Sequence, residues 1–465
     1  MAGREPYSPR HRTALVLAGT GTAGAYHAGV LRALAEAGVR IDIVAGHGIG
    51  AIGALFTAIE GGARLWSPDG LWRQRAIAGF YPWRPVLRAL GWTFGAALAL
   101  VLVPLALLAS GLVIYPAALV LRMAQSPAGS TLADGYAALV RDLFQPERLP
   151  AWLAEGAFLL ALVALLLVAV AAARARLPRR HRERGSFWWR VFGAPISHGP
   201  AVRFWQAGLW RLITGGTKAA QPNPVELSRR YAEVLGDNLG QPGFRELIVV
   251  AHDMDTRRDV VLAALMEPWR KPFFGRRTGT VPSPERTSET LDLTGADRDH
   301  VVDILSASQC LPVVTDPWPV TFATESYWRG ETHRLCDRPE CVGRLLEEAA
   351  AAGAEQVIVV SATADTDQPH TLTEPRIDGR GRLASWLVSQ ERAAVRDAVR
   401  ARTDFFRFIH VVSPDHNPIG PFDLVGAYDE RSDRVQMLGE LLDRGYADAY
   451  HQFIEPVVGA ADPTS

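Results

Sequence analysis

The 465-residue sequence is poor in cysteine and in lysine, and it carries no net charge. Three cysteines, Cys310, Cys336 and Cys341, in a chain of this length exclude a disulfide-built scaffold. Lys218 and Lys271 are the only lysines, so arginine supplies 47 of the 49 basic side chains. The 49 acidic residues balance them, which excludes a globally basic nucleic-acid binder and a strongly steering acidic surface. With 48% hydrophobic and 21% charged residues, the chain is not of a disordered type. There is no internal repeat and no long low-complexity tract. The opening MAGREPYSPRHR is polar and lacks the apolar core of a signal peptide.

Charge is also absent locally. No charged residue lies between Arg88 and Arg122, a run of 33, nor between Glu155 and Arg174, a run of 18. A membrane-spanning helix needs roughly 17–25 apolar residues. The first run accommodates a span over Trp92–Tyr115, with Pro104 and Gly111 as tolerated kinks. The second, GAFLLALVALLLVAVAAA over Gly156–Ala173, has no polar stripe, unlike an ordinary core helix. Arg73, Arg75, Arg84 and Arg88 precede the first run. Arg174, Arg176, Arg179, Arg180, Arg182 and Arg184 follow the second. Positive charge on the outer flanks predicts an integral protein of the cytoplasmic membrane, with both termini inside and the loop over 122–155 outside. Aromatic residues interleave with these arginines. Phe187, Trp188 and Trp189 read as a headgroup-level belt, and Trp72, Tyr81, Trp83, Phe204, Trp205 and Trp210 stay open between belt and core.

The remainder alternates strands and helices. Apolar strands are expected over Thr13–Ala18, Val39–Ala45, Glu246–Ala251, Gln356–Ser361 and Phe406–Val412, with helices over 300–309, 342–352, 384–402 and 430–452. Residues 276–299 read as a loop. This alternation predicts an α/β fold with a mostly parallel sheet.

Two glycine motifs follow the first two strands. Gly19-Thr20-Gly21-Thr22-Ala23-Gly24 fits a pyrophosphate cradle at a helix N-terminus. Asp42, the acid such a site wants, sits within the second strand region rather than at its end. The same loop also fits an oxyanion hole. Gly46-His47-Gly48-Ile49-Gly50, between a strand and a small-residue helix, has the shape of a nucleophile elbow.

Together the motifs resemble the patatin-like phospholipase family. Its members carry a Gly-rich oxyanion loop in the first strand–helix turn, a G-x-S-x-G elbow in the second, and a later Asp in D-G-[GA] that completes a Ser–Asp dyad. ELIVVAHDMDTRRDVVL (246–262) is similar to the family's central strand and hairpin, VVDILSASQCLPVV (301–314) to its helix and A-S-x-x-L-P turn, and RGYADAY (444–450) to its C-terminal helix. The resemblance implies a three-layer α/β/α fold interrupted by a two-helix transmembrane insertion. The expected parts are an N-terminal part over 1–88, a membrane hairpin over 89–173, a basic and aromatic juxtamembrane segment over 174–235, and a C-terminal part over 236–465.

The sequence departs from the family where the chemistry lies. Gly48 stands at the serine position, Ala23 at the basic position of the oxyanion loop, and Arg329, in YWRGE, at the best match to the dyad Asp. Acyl transfer by this route needs a hydroxyl nucleophile and a carboxylate; Gly48 has no side chain and Arg329 cannot accept a proton. His47 is the candidate substitute, the alternative being a ring packed aside on backbone bonds. Glu331 is a candidate replacement carboxylate. Thr20 and Thr22 offer hydroxyls, with turn chemistry as their ordinary role. His252, Asp253 and Asp255, and His333, Cys336 and Cys341, are loose metal-like groupings without a full ligand set, so neither metal nor cofactor is expected. Trp269, Arg270, Lys271, Phe273, Phe274, Arg276 and Arg277 read as a lipid-touching lid or as a solvated loop. Arginine in place of lysine suggests a bacterial genome of high G+C content.

Three functions are carried forward. The first is a membrane-anchored pseudoenzyme that keeps its backbone pocket and binds membrane lipid or scaffolds a protein partner, with no nucleic acid. The second is an active lipid acyl hydrolase using His47. The third is a dinucleotide-binding module using Gly19, Gly21 and Gly24.

Overall fold

The computed structural model describes residues 7–60, 62–145, 149–175, 192–216, 219–275, 288–324, 328–364, 379–429 and 433–459. Two compact units result, one from Met1–Pro82 with Ser197–Ser465, the other from Trp83–Ile196.

The larger unit is built on a nine-stranded mixed sheet. In chain order its strands are β1 (Thr13–Ala18), β2 (Ile43–Gly46), β3 (Glu246–Asp253), β4 (Arg258–Ala264), β5 (Ser288–Asp292), β6 (Trp318–Thr321), β7 (Thr332–Cys336), β8 (Gln356–Ser361) and β9 (Phe408–Val412). The main path runs β5-β4-β3-β2-β1-β8-β9, with β7 pairing β3 and β6. The central strands β3, β2, β1, β8 and β9 pair in parallel. Every residue of TALVLA and QVIVVS is buried, as expected for strands covered on both faces. One face carries Ala14, Val16, Ala45, Val250 and Val359 against Val342, Leu345 and Leu346 of the helix Cys341–Ala351, and Val395 and Ala398 of the helix Gly379–Ala401. The other supports α1 (Ala23–Glu36) and α2 (Ile49–Ala58). Leaving β1, the chain pairs β2 on one side and β8 on the other. Such a switch point opens a crevice at the carboxyl ends of the strands, where both glycine motifs lie.

Two expectations need correction here. The stretch read as a loop contains β5, parallel to β4; Ser288 is buried because its hydroxyl bonds Glu348 at 2.5 Å, so a polar strand escaped the hydrophobic pattern. Its remainder, 276–287, lies outside the described residues. Residues 197–235, expected beside the membrane, belong to this unit instead. The helix Gly199–Ile213 buries Trp205 and Trp210, and Tyr231 of the helix Pro224–Asn238 donates its hydroxyl to Leu55 O at 2.7 Å. Trp72 and Tyr81, open between belt and core in the sequence, are buried in the same unit. Phe187, Trp188, Trp189 and Arg176–Arg184 lie outside the described residues.

The smaller unit contains the helices Pro85–Met123, Ala128–Leu143 and Leu149–Ala175. Two helical stretches, Pro85–Met123 and Ala151–Ala173, are long and apolar enough to cross a membrane, and only 11% and 6% of their apolar windows are buried. The first continues through Pro104 and Pro116 for 39 residues, about 58 Å at 1.5 Å per residue. Residues 122–155, read as a loop, contain the helix Ala128–Leu143, whose Tyr136 donates to Leu107 O at 2.6 Å.

Candidate functional site

The elbow is the turn from β2 into α2. Gly48 has φ 55° and ψ −135°, a region that costs any residue with a Cβ. The glycine therefore takes up the strained backbone geometry of a nucleophile elbow. A Cβ at this position would lie 2.5 Å from Gly19 O and 2.6 Å from Asp337 Oδ2. The volume a serine side chain would enter is already filled by the protein's own oxygens.

Asp337 is the residue that sequence reasoning missed. It follows β7, and its N–H donates to Cys310 O at 2.8 Å. Its Oδ1 lies 3.0 Å from His47 Nδ1, and both side chains are 1% exposed. Burial opposes the charged imidazole, but the charge and hydrogen bond of Asp337 outweigh it and hold His47 above its ordinary value. The carboxylate over the elbow is thus Asp337, whereas Arg329, the best match to the dyad position in the sequence, is exposed in a turn at φ 45°. Glu331 is not the substitute either, being 71% exposed and bonded to His333 Nε2 at 3.2 Å. Sequence offered little warning, because Asp337 is followed by Arg338 and Pro339 rather than by glycines. The His47 ring does not rest on backbone bonds, contrary to expectation.

The glycine loop is closed by its own chain. Ile49 N–H, the elbow donor that would face an oxyanion, donates to Gly19 O at 3.0 Å. Thr22 N–H donates to Pro421 O at 3.1 Å, and the Thr22 hydroxyl to Gly420 O at 2.9 Å. A Cβ at Gly21 would meet Pro421 O at 2.0 Å. The expectation of an intact backbone pocket is therefore corrected. The expected dinucleotide acid is also spent, since Asp42 accepts from Thr13 N at 2.9 Å and from Arg40. Ala23, Gly24, Gly46 and Gly50 are buried in the two strand–helix turns.

Glu391, buried on the helix Gly379–Ala401, closes the site from the far side of Gly19; its Oε2 is 3.9 Å from where a Gly19 Cβ would stand. Burial pushes its carboxyl up to about 7; the nearby Thr20 hydroxyl and the His47 charge oppose the shift, and Asp337 adds to it. Neither Glu391 Oε1 nor Thr20 Oγ1 makes a hydrogen bond of ordinary geometry among the described residues. His27 is held neutral, at about 3, by burial, with Nε2 3.0 Å from Ala18 O.

A pH dependence follows. The unfolded chain releases the Glu391 proton near 4.5, whereas the folded protein keeps it to about 7. The folded state binds more protons in that window, so stability falls as pH rises through it, by about 3 kcal/mol in all. Glu391→Gln is expected to flatten this fall, raising stability at about pH 8 and changing little at acid pH. Thermal unfolding of both proteins across the window checks it.

The other sequence candidates are structural. Asp253 binds His333 Nδ1 at 2.7 Å and Thr256 at the β3–β4 turn. His252 binds Asp259 at 3.0 Å, and Asp255 pairs with Arg334. Cys336 and Cys341 are buried, and no metal-competent grouping exists among the described residues. Phe273 is in the core, Arg12 lies over Trp269 at 5.3 Å, and Arg270 pairs with Asp292. The described part of that segment is ordinary packed chain; Arg276 and Arg277 lie outside it.

The sheet, the elbow-shaped turn at the end of its second strand and the carboxylate above it are those of a patatin-type α/β/α fold. The family model for patatin-like phospholipases matches residues 15–337, which is more than half of the chain and ends on Asp337. The chain belongs to the patatin-like phospholipase family. No curated protein matches it. Among solved structures, VipD from Legionella pneumophila is similar at 12% identity with a TM-score of 0.30, covering 97% of this chain and 67% of that one.

Proposed function

We propose that this is a membrane-anchored patatin-like protein, impaired in catalysis, that acts at the cytoplasmic membrane face by binding lipid or holding a protein partner. The observation that carries the reading is Gly48: no nucleophile, with Gly19 O and Asp337 Oδ2 in the space one would need. The engaged Ile49 N–H adds to it, since an oxyanion donor contributes about 10²–10³ in rate only when it is free to face the reacting oxygen. The exposed apolar helices support the anchoring, and the arginine flanks support the cytoplasmic orientation.

The test is direct. Detergent-purified protein is expected to resist labelling by a fluorophosphonate and to leave phospholipid and short-chain esters at background. Covalent capture of the probe by any residue of the elbow ends this reading.

One observation favours a second reading, an acyl hydrolase with water as nucleophile. The His47–Asp337 pair has the arrangement of a base and its orienting carboxylate. In that case hydrolysis is measurable and His47→Ala removes it. The geometry gives no support to dinucleotide binding, and unchanged protein fluorescence on titration with NAD or FAD would agree.

A further inference from the structure

The helix Gly379–Ala401 divides its side chains sharply. Leu383, Leu387 and Glu391, four residues apart, face inward to intermediate or buried positions. Arg382 and Trp386, also four apart, are exposed, Trp386 by 55%. Beside this helix runs the turn Leu311–Val314, in which Val313 is 75% exposed at φ 71°. A β-branched residue rarely adopts such a conformation. The turn spends it on holding an aliphatic side chain out of the protein. Between turn and helix lies a cavity of about 190 Å³ lined by Leu311, Pro312, Val314, Leu383, Trp386 and Leu387. That volume is below the roughly 300–1,000 Å³ of pockets that enclose a small molecule. Its acid neighbour Glu340 is exposed but lies 3.7 Å from Arg338.

We infer that the Val313 turn and the Trp386 face of this helix form a surface that contacts a lipid bilayer. Tryptophan favours the headgroup level, arginine is drawn to anionic phosphate, and an aliphatic tip enters the acyl boundary. Arg382, Trp386 and Val313 supply one of each within a single patch. A bilayer is the occupant chosen because the same chain carries two helices long and apolar enough to span one. The inference rests on the membrane-anchored reading. It goes further by naming which face of the α/β unit meets lipid.

Three single-cysteine nitroxide labels on the full chain test it, in nanodiscs of mixed phosphatidylcholine and phosphatidylglycerol. The native thiols Cys310, Cys336 and Cys341 are buried and resist labelling of the folded protein. Val313→Cys reports the patch, Leu165→Cys reports the second apolar helix, and Val225→Cys reports an exposed position on the helix Pro224–Asn238. The expected result is that Val313→Cys and Leu165→Cys collide more with oxygen than with a water-soluble nickel chelate, while Val225→Cys does the reverse. In detergent-free nanodiscs, Arg382→Glu with Trp386→Ser should return the Val313→Cys label to nickel. If Leu165→Cys is lipid-exposed and Val313→Cys is fully aqueous, the patch inference is overturned and the anchoring stands. If Leu165→Cys is aqueous, both are overturned.

Discussion

Gly48→Ser is expected to destabilise the α/β unit by about 2–6 kcal/mol and to leave ester hydrolysis at background. Two costs combine. A side chain at φ 55°, ψ −135° carries roughly 1–3 kcal/mol of backbone strain. A Cβ at 2.5 Å from Gly19 O and 2.6 Å from Asp337 Oδ2 forces those groups apart, which in tight interiors costs about 1–3 kcal/mol more. The Gly19 peptide and the Asp337 carboxylate occupy the space that the side chain would enter. Catalysis is not restored, because Ile49 N–H remains bonded to Gly19 O and no free donor awaits the oxyanion. Restoring activity would need the Gly19 peptide to turn as well as the hydroxyl to return. Thermal unfolding of wild type, Gly48→Ala and Gly48→Ser separates the terms. Alanine should carry most of the loss, since Cβ makes both clashes. Rapid acylation of Gly48→Ser by a fluorophosphonate, with little loss of stability, would mean that the site opens freely in solution.

The same closure explains why some of the molecule could be read from its sequence and some could not. TALVLA and QVIVVS are continuous apolar runs, and only strands buried on both faces look like that, so β1 and β8 were plain. The elbow was plain because glycines must stand where strand and helix turn sharply, whatever lies between them. β5 was hidden because Ser288 and Glu289 are buried through polar partners, which periodicity does not register. Asp337 was hidden for a similar reason. Its role depends on β7 pairing antiparallel with β3, His252 opposite Cys336, and no local pattern encodes a long-range register. The D-G match drew attention to Arg329, which leaves Asp337, eight residues on, without a motif of its own. Glu391 did leave a trace, as an acid in the inward stripe of Leu383 and Leu387, and an ionisable residue in a core stripe is rare unless it is paired or shifted.

His47→Ala is expected to destabilise the α/β unit more than Asp337→Asn does, and the comparison tells what the buried pair is for. Removing the imidazole strands a carboxylate that is 1% exposed near Glu391, and breaking a buried pair in this way costs about 3–5 kcal/mol. Asp337→Asn keeps shape and an acceptor for Nδ1 while removing the charge, and its cost should stay near 1–3 kcal/mol. The sign of the pH dependence follows from His47, whose value is raised in the folded protein. A raised base contributes stability that is fully present below its unfolded value of 6.5 and is lost as pH rises through the folded one. The gap between wild type and Asp337→Asn should therefore be widest in acid and shrink as pH rises. Glu391 weakens the folded state in the same direction, so the measurement belongs in a Glu391→Gln background, where that contribution is removed. A gap that does not change with pH would mean that His47 is neutral throughout and that Asp337 acts only as a hydrogen-bond acceptor. The same variants also bear on chemistry. If wild-type protein hydrolyses esters and both substitutions abolish that activity, the pair is a working base rather than a structural remnant of one.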